Sequence, residues 1–473
     1  MSKESDEWEH KSISHERIFE WRGEHESLAV KATIGFTKLG DPSQKKAEPT
    51  IAKMGFFYYR VDSKKVRPIT FLFNGGPGSS SLWLHLNAFG PYRVSGLSLD
   101  DVSANKKGQL NLNADSLIQY SDLVFVDPIG TGFSEAKDDE SAKKFYGENP
   151  DGKSIAKFIH QFLIDHNLWQ QPLFLAGESY GGIRSIIACE QLTQSEGIFP
   201  TGLIMIAPLI NGISIAEEHS NVIARCNSLI SYAMTAWFHK KSVLNDLTKS
   251  ASEAYEQAEK FIFQEVLPLI LKQSIDQVEV STKEKLCAYL GIAPDSYDEY
   301  GDAFGMEAFS RLLFAGERRY PGRLDSRYSL SFPVNYAPRY EDPSMSVLER
   351  VLAPKTQEYL RCNLGLDYCK GYQHINAGVS EHWSFSGITL SGGSRLASVL
   401  RHHETMAVFV CSGYYDLAVP TASVEYDLTH MQIPAGARTN IKHQVYPAGH
   451  MMYVEKNILS QLSKDIAEHF NWT

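Results

Sequence analysis

Residues 172–192 read PLFLAGESYGGIRSIIACEQL, and the fold is decided here. An apolar run at 173–176 meets Gly177-Glu178-Ser179-Tyr180-Gly181, and apolar positions at helical spacing follow. A G-x-S-x-G between a strand and a helix describes a sharp turn that lifts a serine hydroxyl clear of a sheet. Side chains at the two glycine positions would collide across such a turn. The helix N-terminus behind the serine favours developing negative charge. A chain of this length carries about 0.2 such patterns by chance at average Gly and Ser frequencies, so the strand–turn–helix context does the discriminating. The competing reading is a tight turn with an inert serine.

The flanking sequence repeats the same alternation of elements. PITFLFNGG (68–76) and DLVFVD (122–127) are short apolar runs stopped by glycine or a polar residue, as buried strands are. SIAKFIHQFLIDHNL (154–168) has helical spacing, and GLIMIAPLI (202–210) is another strand. Strand–helix–strand alternation predicts a parallel sheet covered on both faces. LAVKATIGF and MGFFYYRV predict antiparallel strands on either side of the polar turn GDPSQKKAEP. The character then turns helical from 214 to 403, and sheet-like runs return at MAVFVCSG (406–413) and TNIKHQVYPAGH (439–450). The expected organisation is a polar lead-in over 1–26, an α/β-hydrolase core over 27–213 and 404–473, and a mainly helical cap inserted over 214–403.

Composition bounds the function classes. Of 473 residues, 43% are hydrophobic and 22% charged, which supports a large core. A net charge of −10 argues against a nucleic-acid footprint. The N-terminal residues are charged and lack the apolar core of a secretory signal, and no run approaches a membrane span. A cytoplasmic enzyme with no membrane partner is the resulting expectation. The six cysteines are scattered, with a local Cys362–Cys369 disulfide the one pairing considered. None sits in a zinc-ligand spacing, so no metal is expected.

A nucleophilic serine needs a base, and the base an orienting acid, in the chain order Ser, Asp or Glu, His. Asp416 follows the strand MAVFVCSG, and His450 lies in a loop shaped by Pro447 and Gly449 after the last strand. His443, on that strand, is the nearest competitor, and Glu425 and Asp427 are expected to be surface charges on a helix. The backbone N–H of Tyr180 is one expected oxyanion donor. The second should come from the glycine-rich loop NGGPG at 74–78, where glycines permit close approach to a substrate carbonyl. Ser134, in TGFS, lacks the turn and is read as lining the pocket.

In order, NGGPGSSS, VDPIGTGFS, GESYGG, GYYD and AGHMMY resemble the serine carboxypeptidase family, peptidase family S10, and are most similar to its bacterial branch. The resemblance implies Ser179 as nucleophile, Asp416 as orienting acid, His450 as base, and Gly76 and Tyr180 as oxyanion donors. It implies Asn74, Gly75 and Glu178 as contacts for the substrate's terminal carboxylate, a peptide substrate, and no cofactor. The alternative for Glu178 is an acid favoured by the helix dipole, and the resemblance favours the substrate contact. A second family glutamate is replaced by Ala88, with Asn87 adjacent but pointing elsewhere on an α-helix. That loss predicts a less acidic optimum or looser C-terminal recognition. Arg184 replaces a residue usually aromatic, either as a cation for an anionic substrate or as half of a buried salt bridge. The rival functions are an esterase, amidase or acyltransferase on the same triad, and a non-catalytic binding protein on the same scaffold.

Overall fold

The computed structural model describes residues 15–23, 26–44, 49–103, 107–218, 220–272, 279–295, 305–331, 342–366 and 371–472. Its main sheet contains β1 (His15–Arg22), β2 (Ser27–Leu39), β3 (Ala52–Val61), β4 (Ile69–Phe73), β5 (Asp122–Val126), β6 (Leu173–Glu178), β7 (Gly202–Ile206), β8 (Ala407–Gly413) and β9 (Ile441–Tyr446). The spatial order is β1-β2-β3-β5-β4-β6-β7-β8-β9, with a two-residue strand, Glu135–Ala136, beside β3. β1, β2, β3 and β5 pair antiparallel, and every pairing from β5 to β9 is parallel. This is the α/β-hydrolase fold that the sequence predicts.

The apolar runs are continuous because both sheet faces are covered. Along β4 to β8 the side chains divide by parity. Leu72, Phe125, Ala176, Ile204 and Phe409 enter one core, and Phe71, Val124, Leu175, Met205 and Val408 the other. Helices α1 (Glu148–His166) and α2 (Gly181–Gln191) supply the second core with Phe158, Phe162, Ile183 and Ile187. A third core lies largely in the insertion, where α3 (Val222–Phe238) and α4 (Ala251–Phe261) pack through Tyr232, Tyr255 and Phe261.

Two features differ from expectation. The lead-in over 1–26 contributes a strand, because β1 pairs along β2 and buries Trp21, whose indole N–H donates to the Asn113 carbonyl at 2.9 Å. The insertion is also less separate than its helical character suggests. Leu348, Leu352, Tyr359 and Leu360 join the first sheet core, and α5 (Gly392–His402) packs under the sheet through Leu396, Val399 and Leu400. Among the described residues no helix is long and apolar enough to cross a membrane. Cys189, Cys226, Cys287, Cys362 and Cys411 are free thiols, and Cys369, the other half of the considered disulfide, lies outside the described residues.

Parallel pairing puts the C-terminal ends of β4, β6, β8 and β9 at one edge of the sheet. Ligands of open α/β sheets bind outside that edge.

Candidate active site

The turn after β6 is built by exclusion. A Cβ on Gly177 would lie 2.0 Å from the Gly181 carbonyl oxygen, and one on Gly182 would lie 2.5 Å from the Pro208 side chain. Only glycine fits at either place. Ser179 takes φ 60°, a left-handed conformation that is uncommon outside glycine and concentrated at functional sites. Its N–H donates to Ile206 at 2.9 Å and its carbonyl accepts from Leu209 at 3.0 Å and Gly182 at 2.8 Å. The backbone is therefore fixed while the half-buried side chain stands at the sheet edge.

Asp416 and His450 come together from the ends of β8 and β9. The His450 Nδ1 is 2.6 Å from Asp416 Oδ2, and both residues are buried. The other carboxylate oxygen, Oδ1, accepts from the N–H groups of Ala418 at 2.7 Å and Val419 at 3.0 Å, which fixes the direction in which Oδ2 points. Burial works against a charged imidazole, but the Asp416 carboxylate outweighs it and holds the His450 pKa above the ordinary histidine value. Among the described residues the Ser179 hydroxyl makes no hydrogen bond to a protein group. The structure thus joins acid to imidazole but does not bond the imidazole to the serine. Such bonds are often long in free enzymes and tighten when substrate binds.

The loop after β4 lies against this turn. A Cβ on Gly75 would sit 2.5 Å from the Tyr180 nitrogen and 2.7 Å from the Glu178 carbonyl oxygen, so only a glycine lets the loop and the turn touch. Gly76 has φ +103°, which also requires glycine. Among the described residues neither the Gly76 nor the Tyr180 N–H donates to a protein acceptor, which leaves both available to a ligand.

Glu178 is buried beside the serine. Its carboxyl accepts from Asn74 Nδ2 and from the Tyr453 hydroxyl at 2.9 and 2.8 Å. Burial pushes its pKa up to about 7, against the pull of His450, Tyr453 and Asn74. A helix-dipole acid on the surface would not behave so. Asn74 is oriented in turn, its Oδ1 accepting from Leu84 N–H at 3.1 Å. Residues Leu84–Phe89 form a π-helical turn, so the α-helical angle expected between Asn87 and Ala88 does not apply. Both are nonetheless fully buried.

Arg184 forms the buried salt bridge, with Nε 2.7 Å from Asp151 Oδ2, and its Nη1 donates to the Asn74 carbonyl. Tyr180 donates to the same Asp151 oxygen at 3.1 Å. The pair therefore ties α1, the serine turn and the glycine loop together. Replacing Arg184 with methionine leaves the Asp151 carboxyl buried without its cation. A loss of about 3–5 kcal/mol in unfolding free energy is expected from urea denaturation, and a loss below about 1 kcal/mol would contradict this role.

Asp427 is not a surface charge: it is buried and accepts from Asn211 and Ser214 at 2.8–3.1 Å. Glu425 is half-buried, the Tyr255 hydroxyl donates to it at 2.6 Å, and burial pushes its pKa to about 7. Both sit on a helix, Thr421–His430, that is sandwiched between sheet and insertion. His443 is half-buried, with its Nε2 at 2.9 Å from the Ser412 hydroxyl, and desolvation drops its pKa to about 4. Ser134 is structural, donating to the Asp127 carbonyl at 2.5 Å and accepting from Gly55 at 2.7 Å. Tyr453 and Asp151 were not singled out in the sequence. Tyr453 lies three positions after His450, and a polar aromatic so close to the candidate base was the available signal.

The sequence model of the serine carboxypeptidase family matches residues 48–457. The vitellogenic carboxypeptidase of Aedes aegypti is 32% identical over 133 residues, which is 27% of this chain and 25% of that protein. The pheromone-processing carboxypeptidase KEX1 of Saccharomyces cerevisiae is 36% identical over 126 residues, 24% of this chain and 16% of that protein. These alignments span a quarter or less of either relative. The crystal structure of the Saccharomyces cerevisiae prohormone-processing carboxypeptidase KEX1(delta)p superposes with TM-score 0.56 over 93% of this chain and 91% of that one. At 17% identity, that is a likeness of fold. The family match spans most of the chain, and this protein belongs to the serine carboxypeptidase family, peptidase S10.

Proposed function

We propose that this protein is a serine-type carboxypeptidase that cleaves C-terminal peptide bonds through an acyl-enzyme on Ser179. The observation that carries the reading is the pairing of a strained, glycine-flanked serine with a buried Asp416–His450 hydrogen bond at the same sheet edge. The Ser179 oxygen attacks the scissile carbonyl while His450 Nε2 takes its proton, and Asp416 keeps the Nδ1 proton in place. The N–H groups of Gly76 and Tyr180 hold the oxyanion. Collapse breaks the C–N bond as His450 returns the proton to the leaving amine. Water, deprotonated by His450, then releases the acyl group as a carboxylic acid and frees the serine.

Recognition of the leaving residue's carboxylate falls to Asn74, Gly75 and Glu178. Two carboxylates at hydrogen-bonding distance repel unless they share a proton. A Glu178 that protonates near neutrality can donate to a substrate carboxylate without an acidic medium. Ala88, buried and with no polar group, leaves this task to one carboxyl.

A pH dependence follows from the two shifts. His450 must be neutral to act as base, so the rate falls as pH drops through its raised pKa. Glu178 must be protonated to accept a free C-terminus, so KM for such substrates rises as pH climbs past about 7. Because the two groups lie in each other's field, each limb reports the pair. The expected profile of kcat/KM is a bell near neutrality for free-acid peptides and a plateau at high pH for amidated ones. A sharp optimum near pH 4–5, or identical profiles for both substrates, would contradict the assignment of Glu178.

Digestion of paired peptides that differ only in a free or amidated C-terminus, read by mass, tests the function. Stepwise loss of C-terminal residues from the free acid, with much slower cleavage of the amide near neutral pH, is expected. Equal rates on both would instead favour an esterase or amidase on the same residues.

A further inference from the structure

Residues 322–328, GRLDSRY, belong to the inserted part of the chain and join two short strands, Arg319–Pro321 and Ser329–Ser331. They run between the loop that carries Asp416 and the loop that carries His450, and they bond to both. On the acid side, Ser326 N–H donates to the Tyr415 carbonyl at 3.0 Å, and Leu417 N–H donates to the Arg323 carbonyl at 3.0 Å. On the imidazole side, His450 N–H donates to the Leu324 carbonyl at 2.6 Å, and Gly449 N–H donates to Asp325 Oδ2 at 3.2 Å. The approach is so close that a Cβ on Gly449 would lie 2.5 Å from both the Asp325 Cβ and the Leu324 oxygen.

Two charged side chains complete this contact. The Arg327 Nη2 is 2.7 Å from Asp325 and 3.1 Å from Glu455, while Nη1 donates to the Pro447 carbonyl at 3.2 Å. The side chains of Arg327 and Asp325 are only 8% and 9% exposed. One planar guanidinium thus holds three points around the His450 loop, on 325, 447 and 455. A buried ion pair is a poor source of net stability, since desolvation offsets most of its attraction. Its better-attested use is to impose one arrangement on what it touches. Here it touches residues one and three positions before His450.

We propose that Asp325 and Arg327 are positioning residues, which set the reach of the His450 imidazole to Ser179 by gripping Gly449 and Pro447. The inference rests on the reading of His450 as the base. It makes a segment of the insertion part of the catalytic apparatus, where the sequence had suggested only a loop in a cap. The placement of the ring matters because the imidazole is bonded to Asp416 and not to the serine. Whether the last gap closes on substrate binding depends on where the 447–450 loop is held.

The test compares Arg327→Met, Arg327→Lys and Asp325→Asn in the full-length protein. The readouts are kcat and KM on a free-acid peptide, the rate of labelling by a fluorophosphonate probe, and the melting curve. Arg327→Met is expected to lower kcat and the labelling rate together by about 10–100-fold, the scale on which small misplacements act. KM should stay within about threefold, since ground-state binding is untouched. Arg327→Lys should recover part of both rates, because an ammonium satisfies Asp325 but lacks the fork that also reaches Glu455 and Pro447. Asp325→Asn keeps an oxygen for the Gly449 N–H and should lose less than Arg327→Met, which provides a measurement even if the methionine variant does not fold. Folded variants that react at the wild-type rate, however much lower they melt, would give the pair a purely structural role and overturn the proposal. His450→Ala separates the two failures. If that variant also keeps wild-type activity, the underlying reading of the base is wrong; if it is inactive while Arg327→Met is not, only the positioning role falls.

Discussion

Substitution of Ser179 by alanine is expected to lower kcat on a free-acid peptide by about 10⁴–10⁶-fold, the range seen when the nucleophile of such a triad is removed. The change deletes one oxygen and leaves the turn intact. Alanine has the same steric demand at φ 60° as the Cβ of serine, and the backbone bonds to Ile206, Leu209 and Gly182 do not involve the hydroxyl. The melting curve should therefore match that of the wild type, so a loss of rate is a loss of chemistry. KM should change little, because Asn74, Gly75 and Glu178 keep their places. A residual rate above water is expected from the oxyanion N–H groups and substrate binding alone. Activity within about tenfold of the wild type would place the nucleophile elsewhere.

Replacing Asp416 with asparagine should cost about 10⁴-fold in kcat, nearly as much, although the new side chain has the same shape. The local bonding explains why. Oδ1 accepts from the Ala418 and Val419 N–H groups, so an asparagine places its oxygen there and turns its amide N–H₂ toward His450. Nδ1 must then accept instead of donate. The ring proton moves to Nε2, the nitrogen that should receive the proton of the serine, and the imidazole becomes the wrong tautomer for a base. The carboxylate that raises the His450 pKa is lost as well, so the acid limb of the pH profile should move to lower pH. Steady-state kinetics between pH 5 and 9 would read both effects. A variant with near wild-type kcat and an unmoved acid limb would refute the role of Asp416.

The parts of this fold that could be read from the sequence are those fixed by local constraint. Gly177 admits no side chain because the turn closes back on Gly181, and that requirement is written in neighbouring residues. The apolar runs of β4 to β7 are continuous because both faces are covered, which a single strand already reveals. What could not be read depends on distant partners. β1 is polar along most of its length and becomes a strand because β2 offers an edge and Trp21 finds a pocket. Asp427 looks like a surface charge on a helix until Asn211 and Ser214 close over it. The contact of 322–328 with the loops that carry Asp416 and His450 is longer in range still, since Arg327 and Pro447 are more than a hundred positions apart. No periodicity or spacing encodes it. The substitution of Ala88 was visible, and with it the expectation of a less acidic optimum, but the enclosure of Glu178 by Asn74 and Tyr453 was not.

Activation of the Ser179 hydroxyl by His450 is read out by covalent trapping. Wild type and His450→Ala are treated with a fluorophosphonate at neutral pH, digested and mapped by mass. A single adduct is expected, on the peptide containing Ser179, formed quickly in the wild type and slower by about a thousandfold or more without the imidazole. An adduct on another residue, or equal labelling of Ser179 in both proteins, would contradict it.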